Sequence, residues 1–135
     1  MNLNNIRSKI ASVLSGVVNS TGYPPVNIST ADLPIAVLLV DRFYGEPRGI
    51  DGNVIYTLTF RIDLLVSPVA QSKPEAVIAT AESKLVSAVI ALAGNPTLDG
   101  EVDHQEVVDG KSVHVTSYGG TDYYSGLIHV TYIIK

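Results

Sequence analysis

The chain has 135 residues, enough to bury one core, and no cysteine, which excludes disulfides, thiolate zinc sites and thiol nucleophiles together. Its net charge is −4 with no Lys/Arg run, so it lacks the clustered basic face on which nucleic acids are gripped. Charged residues make up only 16% of it. A free-standing monomer usually carries about 25%, so part of the surface is expected to be buried against other chains.

In chain order, the first predicted element is a helix from about Leu3 to Asn19. Asn2 or Asn4 is its N-cap, and Gly22, Pro24 and Pro25 end the helical pattern. Ile6, Ile10, Val13, Leu14 and Val17 form a one-sided stripe suited to packing on a sheet, and they lack the continuous core of a signal peptide. An extended connector, Tyr23–Asp32, leads to Pro34 at the start of a strand. The run Ile35–Val40 hardly alternates, which predicts a strand covered on both faces, by helices on one side and a neighbouring subunit on the other. It is of strand length, far short of the ~20 residues that span a bilayer. No membrane segment is expected, and the chain reads as cytoplasmic when made.

Leu33–Val66 reads as one long hairpin. In its second arm Leu58, Phe60, Ile62, Leu64 and Val66 form an apolar face, and Thr57, Thr59, Arg61 and Asp63 a polar one. The connection between the arms, Gly45, Glu46, Pro47, Arg48, Gly49, Ile50, Asp51, Gly52 and Asn53, is longer than the usual two to five residues. Loops of this kind often contact partners, and Glu46, Arg48 and Asp51 supply charge for such a contact. A second helix follows, with Ser72 and Glu75 at capping-box spacing and Pro74 in the first turn. Ile78, Ala81, Leu85, Ala88, Val89 and Leu92 supply its apolar face, and Gly94-Asn95-Pro96 stops it. Thr97–Gly110 is acidic and turn-rich, a strand lies near Ser112–Tyr118, and Gly119-Gly120 turns the chain into a last strand alternating Ile128, Val130, Tyr132 and Ile134 against His129, Thr131 and Ile133. The predicted core is Leu58, Phe60, Ile62, Val77, Leu85, Val89, Leu92, Val130 and Tyr132.

No reactive centre emerges. A G-x-S-x-G elbow is absent, and Gly45, Gly49 and Gly52 do not sit between a strand and a helix N-terminus with a following Lys. Asp99, Glu101, Asp103, His104 and Glu106 are a candidate metal locus, but a calcium loop opening at Asp99 needs an acid where Gly110 stands, so a solvated acidic loop is the expectation. His104, His114 and His129 lack an H-x-x-x-H spacing; His114 and His129, on facing strands, are expected to approach each other without forming a metal site. Tyr44, Tyr56, Tyr118, Tyr123, Tyr124 and Tyr132 gather near the hairpin ends, as interface tyrosines or as ordinary strand residues. Neither catalytic residues, metal nor cofactor are assigned. The fold expected is a single α+β domain over residues 1–135: a mostly antiparallel or mixed sheet of about four strands, with two helices on one face.

The block "ADLPIAVLLVDRFYGEPRGIDGNVIYTLTFRIDLLVSPVAQSKPEAVIATAESKL" and the closing strand "YYSGLIHVTYIIK" resemble the tail-terminator (tail-completion) proteins of long-tailed bacteriophages, lambda type. The resemblance extends over nearly the whole chain, except the acidic segment Asp99–Asp109 and the Gly119-Gly120 turn. It implies a structural virion protein rather than an enzyme. Such a protein forms a hexameric ring at the head-proximal end of the tail, built in the host cytoplasm, which caps the tail tube protein, ends its polymerisation and docks the head-side neck protein. Viral DNA would pass through the lumen without specific binding, a passage that suits a net charge of −4. The competing readings are a small-molecule-binding or enzymatic α+β domain using the acidic loop and the histidines, and another head–tail connector or neck protein.

Overall fold

The computed structural model describes residues 1–48, 52–71 and 73–135. Helix α1 (Leu3–Leu14) starts where the Asn2 side chain accepts the Asn5 amide at 3.1 Å, satisfying one of the unpaired N–H groups of the first turn. It ends earlier than its pattern predicts. After Gly16 the β-branched pair Val17-Val18 leads into β1 (Asn19–Ser20), which pairs parallel with Ile35 and Ala36 of β2 (Ile35–Arg48). The sheet continues through β3 (Asn53–Pro68), β5 (Thr121–Ile134) and β4 (His104–Tyr118) in the order β1-β2-β3-β5-β4, antiparallel at every junction after the first. The fold is α+β as expected, with five strands instead of about four, the extra one being the short β1.

Helix α2 (Pro74–Ala93) opens with Lys73 as N-cap and no side-chain cap bond, so Glu75 closes no capping box there; the expected partner Ser72 lies outside the described residues. Both helices lie on one face. Ile6, Ile10 and Leu14 of α1 and Ala88 and Leu92 of α2 enclose Leu58, Phe60, Ile62, Leu64, Ile128, Val130 and Tyr132 in the main core. Of the predicted core only Val77, Leu85 and Val89 fall short of full burial, and Ile78 of the predicted helix face is 36% exposed. The helix comes close to the sheet because the strands beneath it carry glycines. A Cβ at Gly110 would stand 3.0 Å from Val89 Cγ2, and one at Gly126 would stand 3.2 Å from Leu85 Cδ1. Leu85→Ala is therefore expected to cost about 2 kcal/mol in chemical denaturation. A loss below about 0.5 kcal/mol would show that Leu85 does not anchor the helix. By length and composition α2 is also apolar enough to cross a membrane, a property the sequence reading passed over, and only 17% of its most apolar window is buried within the chain.

The double cover of β2 is largely internal. Ile35 and Val37 pack with Leu65 and Tyr123 in a second cluster on the other face, closed by Ile28 from the connector, by Leu33 and by Tyr118. No neighbouring subunit is required for these residues. Past Leu38 the cover ends, and Leu39, Val40 and Phe43 are 44%, 36% and 46% exposed. The acidic segment is also more ordered than expected. Leu98 and Val102 are buried, Leu98, Asp99 and Gly100 take left-handed backbone conformations, and β4 begins at His104, well before Ser112. Burial of the Leu98 side chain holds a backbone that a non-glycine residue seldom adopts.

Candidate functional site: the outer edges and the open face of the sheet

Most of the predicted loop is strand. Gly45 pairs with Tyr56, Glu46 with Ile55, Pro47 with Val54 and Arg48 with Asn53, so the connection is confined to positions 49–52. Gly49, Ile50 and Asp51 lie outside the described residues, and Gly52 has φ +74°, as a turn glycine should. The nine-residue reading failed because Gly45 and Pro47 look like turn residues in sequence. Gly45 instead makes room for an aromatic. A Cβ there would stand 3.0 Å from Tyr56 Cε1, and the Tyr56 ring stacks on Phe43 with centroids 5.6 Å apart. This is how a glycine in a strand is compensated by a cross-strand ring.

The face opposite the helices carries Thr57, Thr59, Arg61 and Asp63 of β3 beside Leu127, His129, Thr131 and Ile133 of β5. Its polar groups are largely matched to one another. The Thr59 and Thr131 hydroxyls are 3.0 Å apart, Arg61 Nε lies 3.4 Å from Asp63 Oδ2, and His129 Nε2 lies 3.9 Å from Asp41 Oδ2. At the tip end of this face a cleft of about 310 Å³ is lined by Tyr44, Glu46, His104 and Glu106 among others, which brings one predicted loop residue beside the start of β4.

The three histidines do not converge. His114 pairs with Ser125 and His129 with Asp109, so the two lie well apart along neighbouring strands, correcting the expected approach; His104 sits at the far end beside Ile133. His114 Nε2 is 2.9 Å from Thr116 Oγ1, which is 2.7 Å from the buried Ser125 hydroxyl. This chain of hydroxyls carries no carboxylate that would turn it into a charge-stabilised nucleophile. The acidic residues stay mostly at the surface, as a solvated segment should, and two of them also make local ties. Asp99 lies 3.3 Å from Lys9 Nζ, exchanges hydrogen bonds with Asn95, and Asp103 accepts the Lys135 amide. Among the described residues no group of three or more His, Asp or Glu is placed to hold a metal ion. Titration with calcium or zinc is expected to find no site tighter than ~10 μM, and one abolished by Asp103→Ala would promote the ligand-binding reading.

The tyrosines divide between the two ends of the sheet. Tyr44 and Tyr56 are at the tip of the first hairpin; Tyr118, Tyr123 and Tyr124 are at the other end, and Tyr132 is core. Tyr118 donates to the Pro25 carbonyl, and burial pushes its hydroxyl pKa up.

What the sequence reading missed is the outer rim. Among the described residues, apart from Met1, Leu3, Tyr23 and Val26, the large apolar side chains left exposed lie on three elements: Leu39, Val40 and Phe43 on β2, Ile78, Val86 and Ile90 on α2, and Val107 and Val115 on β4. Between α2 and β4 run two adjoining clefts of about 540 and 240 Å³ that share Leu85. On the opposite rim β1 covers only Ile35 and Ala36, and Arg7 Nη1 donates to the Leu38 carbonyl at 3.1 Å; from Leu39 onward no described strand flanks β2. The sequence signals for this were the low charged fraction and, on β2, the unalternating run Ile35–Val40. No protein-family model matches the chain, and no curated protein matches it.

Proposed function

We propose that this chain is a structural, ring-forming component of a long-tailed phage virion, of the tail-terminator kind. It caps the tail tube, ends tube polymerisation and offers a docking surface to a head-side neck protein, and it acts by assembly, not catalysis. The observation that carries this reading is the placement of the exposed apolar side chains on two opposite rims, the β2 edge of the sheet and the edge that β4 forms with α2. A monomer ordinarily scatters such residues, and contiguous ones mark contact surfaces. The helix-free face fits a channel wall, since Arg61 is paired with Asp63, Asp41 and Asp109 lie beside His129, and the basic side chains described there form no stripe that would hold passing DNA.

The test is tail length. Tube protein polymerised with this chain should give capped tails of uniform length and without it overgrown tubes; overgrowth in both cases would overturn the reading. The connection at positions 49–52 is expected to contact the tube or neck. Replacing those positions with Asn-Gly, which suits a two-residue hairpin, should leave fold and oligomer intact yet abolish capping or head joining. Normal phage titre from that variant would reduce this connection to a spacer.

A further inference from the structure

We propose that copies of this chain join head to tail through opposite rims of the sheet: the β2 edge of one copy pairs antiparallel with the β4 edge of the next. The sheet then runs unbroken from subunit to subunit. This rests on the ring reading and specifies its interface.

Strand direction favours the pairing. β2, β3, β5 and β4 alternate in direction, so β2 and β4 point opposite ways. A neighbouring copy related by rotation about an axis roughly along the strands therefore sets its β2 antiparallel to β4, with its helices on the same side. Antiparallel pairing is the more stable arrangement per residue. The backbone groups on the outer side of an edge strand are the template for such addition.

The side chains agree on both faces. Val40 and Phe43 pair with Phe60 and Leu58, so they lie on the helix side of β2. On the same side of β4 lies the groove formed with Leu85, Val86 and Ile90 of α2, continued by Val115. On the open side Leu39, paired with Arg61, can meet Val107, paired with Thr131. Helix α2, apolar enough for a bilayer yet only 17% buried in its most apolar window, gains the cover it lacks. On the open side the charges also suit each other: Glu106 stands on β4 and lines the cleft of that face, whereas Arg42, paired with Thr59, stands on β2 over the Tyr44 ring. Both edges are bulged, at Val40/Arg42 on β2 and at Gln105/Val107 and Gly110/Ser112 on β4. Bulges that insert charged residues restrict an edge to particular registers, which guards against indiscriminate pairing.

Because the two rims are different surfaces, the contact is heterologous. Heterologous contacts make rings when the rotation closes, whereas a single self-complementary rim would stop at a dimer.

Two variants test this by light scattering. Leu39→Lys with Phe43→Lys spoils the β2 rim; Val86→Lys with Val115→Lys spoils the groove. Each alone should raise the apparent dissociation constant at least ~100-fold. Mixed, they should form a one-to-one heterodimer and nothing larger, because each retains the rim the other has lost. That heterodimer would also prove both variants folded. Wild-type assembly that survives both sets of substitutions overturns the rim assignment and leaves the ring reading standing. Failure of the mixture to pair, with circular dichroism showing both variants folded, overturns head-to-tail contact. A wild-type chain that stays monomeric up to ~1 mM overturns both.

Discussion

Phe60→Ala is expected to lower the unfolding free energy by about 3–5 kcal/mol, the range for removing a buried aromatic ring. Phe60 is fully buried on the central strand, between Val40 of β2 and Val130 of β5. Removing it leaves a void that close-packed neighbours fill only in part. The ring also supports Arg7, whose guanidinium lies 5.5 Å from its centroid and 4.8 Å from that of Tyr23. From there Arg7 Nη1 donates to both the Gly22 and Leu38 carbonyls at 3.1 Å, tying α1 to the connector and to β2. Losing the ring should thus loosen this clamp as well as the core. Urea unfolding checks the magnitude, and a Phe60→Ala, Arg7→Ala double variant should fall short of the summed single losses, as contacting residues do. Strict additivity would show that Arg7 owes nothing to the ring. Phe60→Leu, nearer in volume, should cost less than about 2 kcal/mol.

What the sequence disclosed and what it hid divide along one physical line. Local periodicity was readable. The alternation of Leu58, Phe60, Ile62 and Leu64, and of Ile128, Val130, Tyr132 and Ile134, located the helix-facing surface of β3 and β5, because period two leaves little choice once one face is buried. It failed first at Leu64-Leu65-Val66, where a bulge before Ser67 breaks the alternation and Leu65 enters the second cluster. It failed again wherever a distant partner decides a residue's state. Gly45 reads as turn until Tyr56 is placed across from it. Val18 and Asn19 read as helix end until β2 offers a parallel edge. Leu98 and Val102 were hidden among acids, although they plug the end of the core.

The candidate interface was legible only as a deficit. A charged fraction of 16% said that some surface was destined for other chains, without saying which. The unalternating run at Ile35–Val40 pointed to the right strand for partly the wrong reason. Its first four residues are buried by the chain itself, and only Leu39 and Val40 remain for a neighbour. The β4–α2 groove had no local signature, since it is built from residues far apart in sequence and depends on Gly110 and Gly126 admitting the helix. Edges are a property of topology, and topology is the least local quantity in a fold.

Alkaline unfolding is expected to report Tyr132. This phenol is fully buried, and burial, opposed slightly by a 3.5 Å hydrogen bond from Gln105 Nε2, pushes its pKa up to about 12 from the usual 10. The folded chain therefore holds the proton more tightly than the unfolded chain. Its contribution to stability is complete below the unfolded value and is lost as pH rises from about 10 towards 12, at about 1.4 kcal/mol per pH unit and ~2–3 kcal/mol in all. Tyr118, also raised by burial, adds in the same direction. Tyr132→Phe should remove most of this slope. At neutral pH the same variant should cost no more than about 1 kcal/mol, because Gln105 keeps its 3.0 Å bond to the Leu92 carbonyl. Urea midpoints measured between pH 8 and about 11.5 in wild type and variant settle it, given the pH window in which the two protonation states diverge. Equal slopes in the two proteins would mean that Tyr132 reaches solvent in the folded state and that the core closes elsewhere than between β5, β4 and the end of α2.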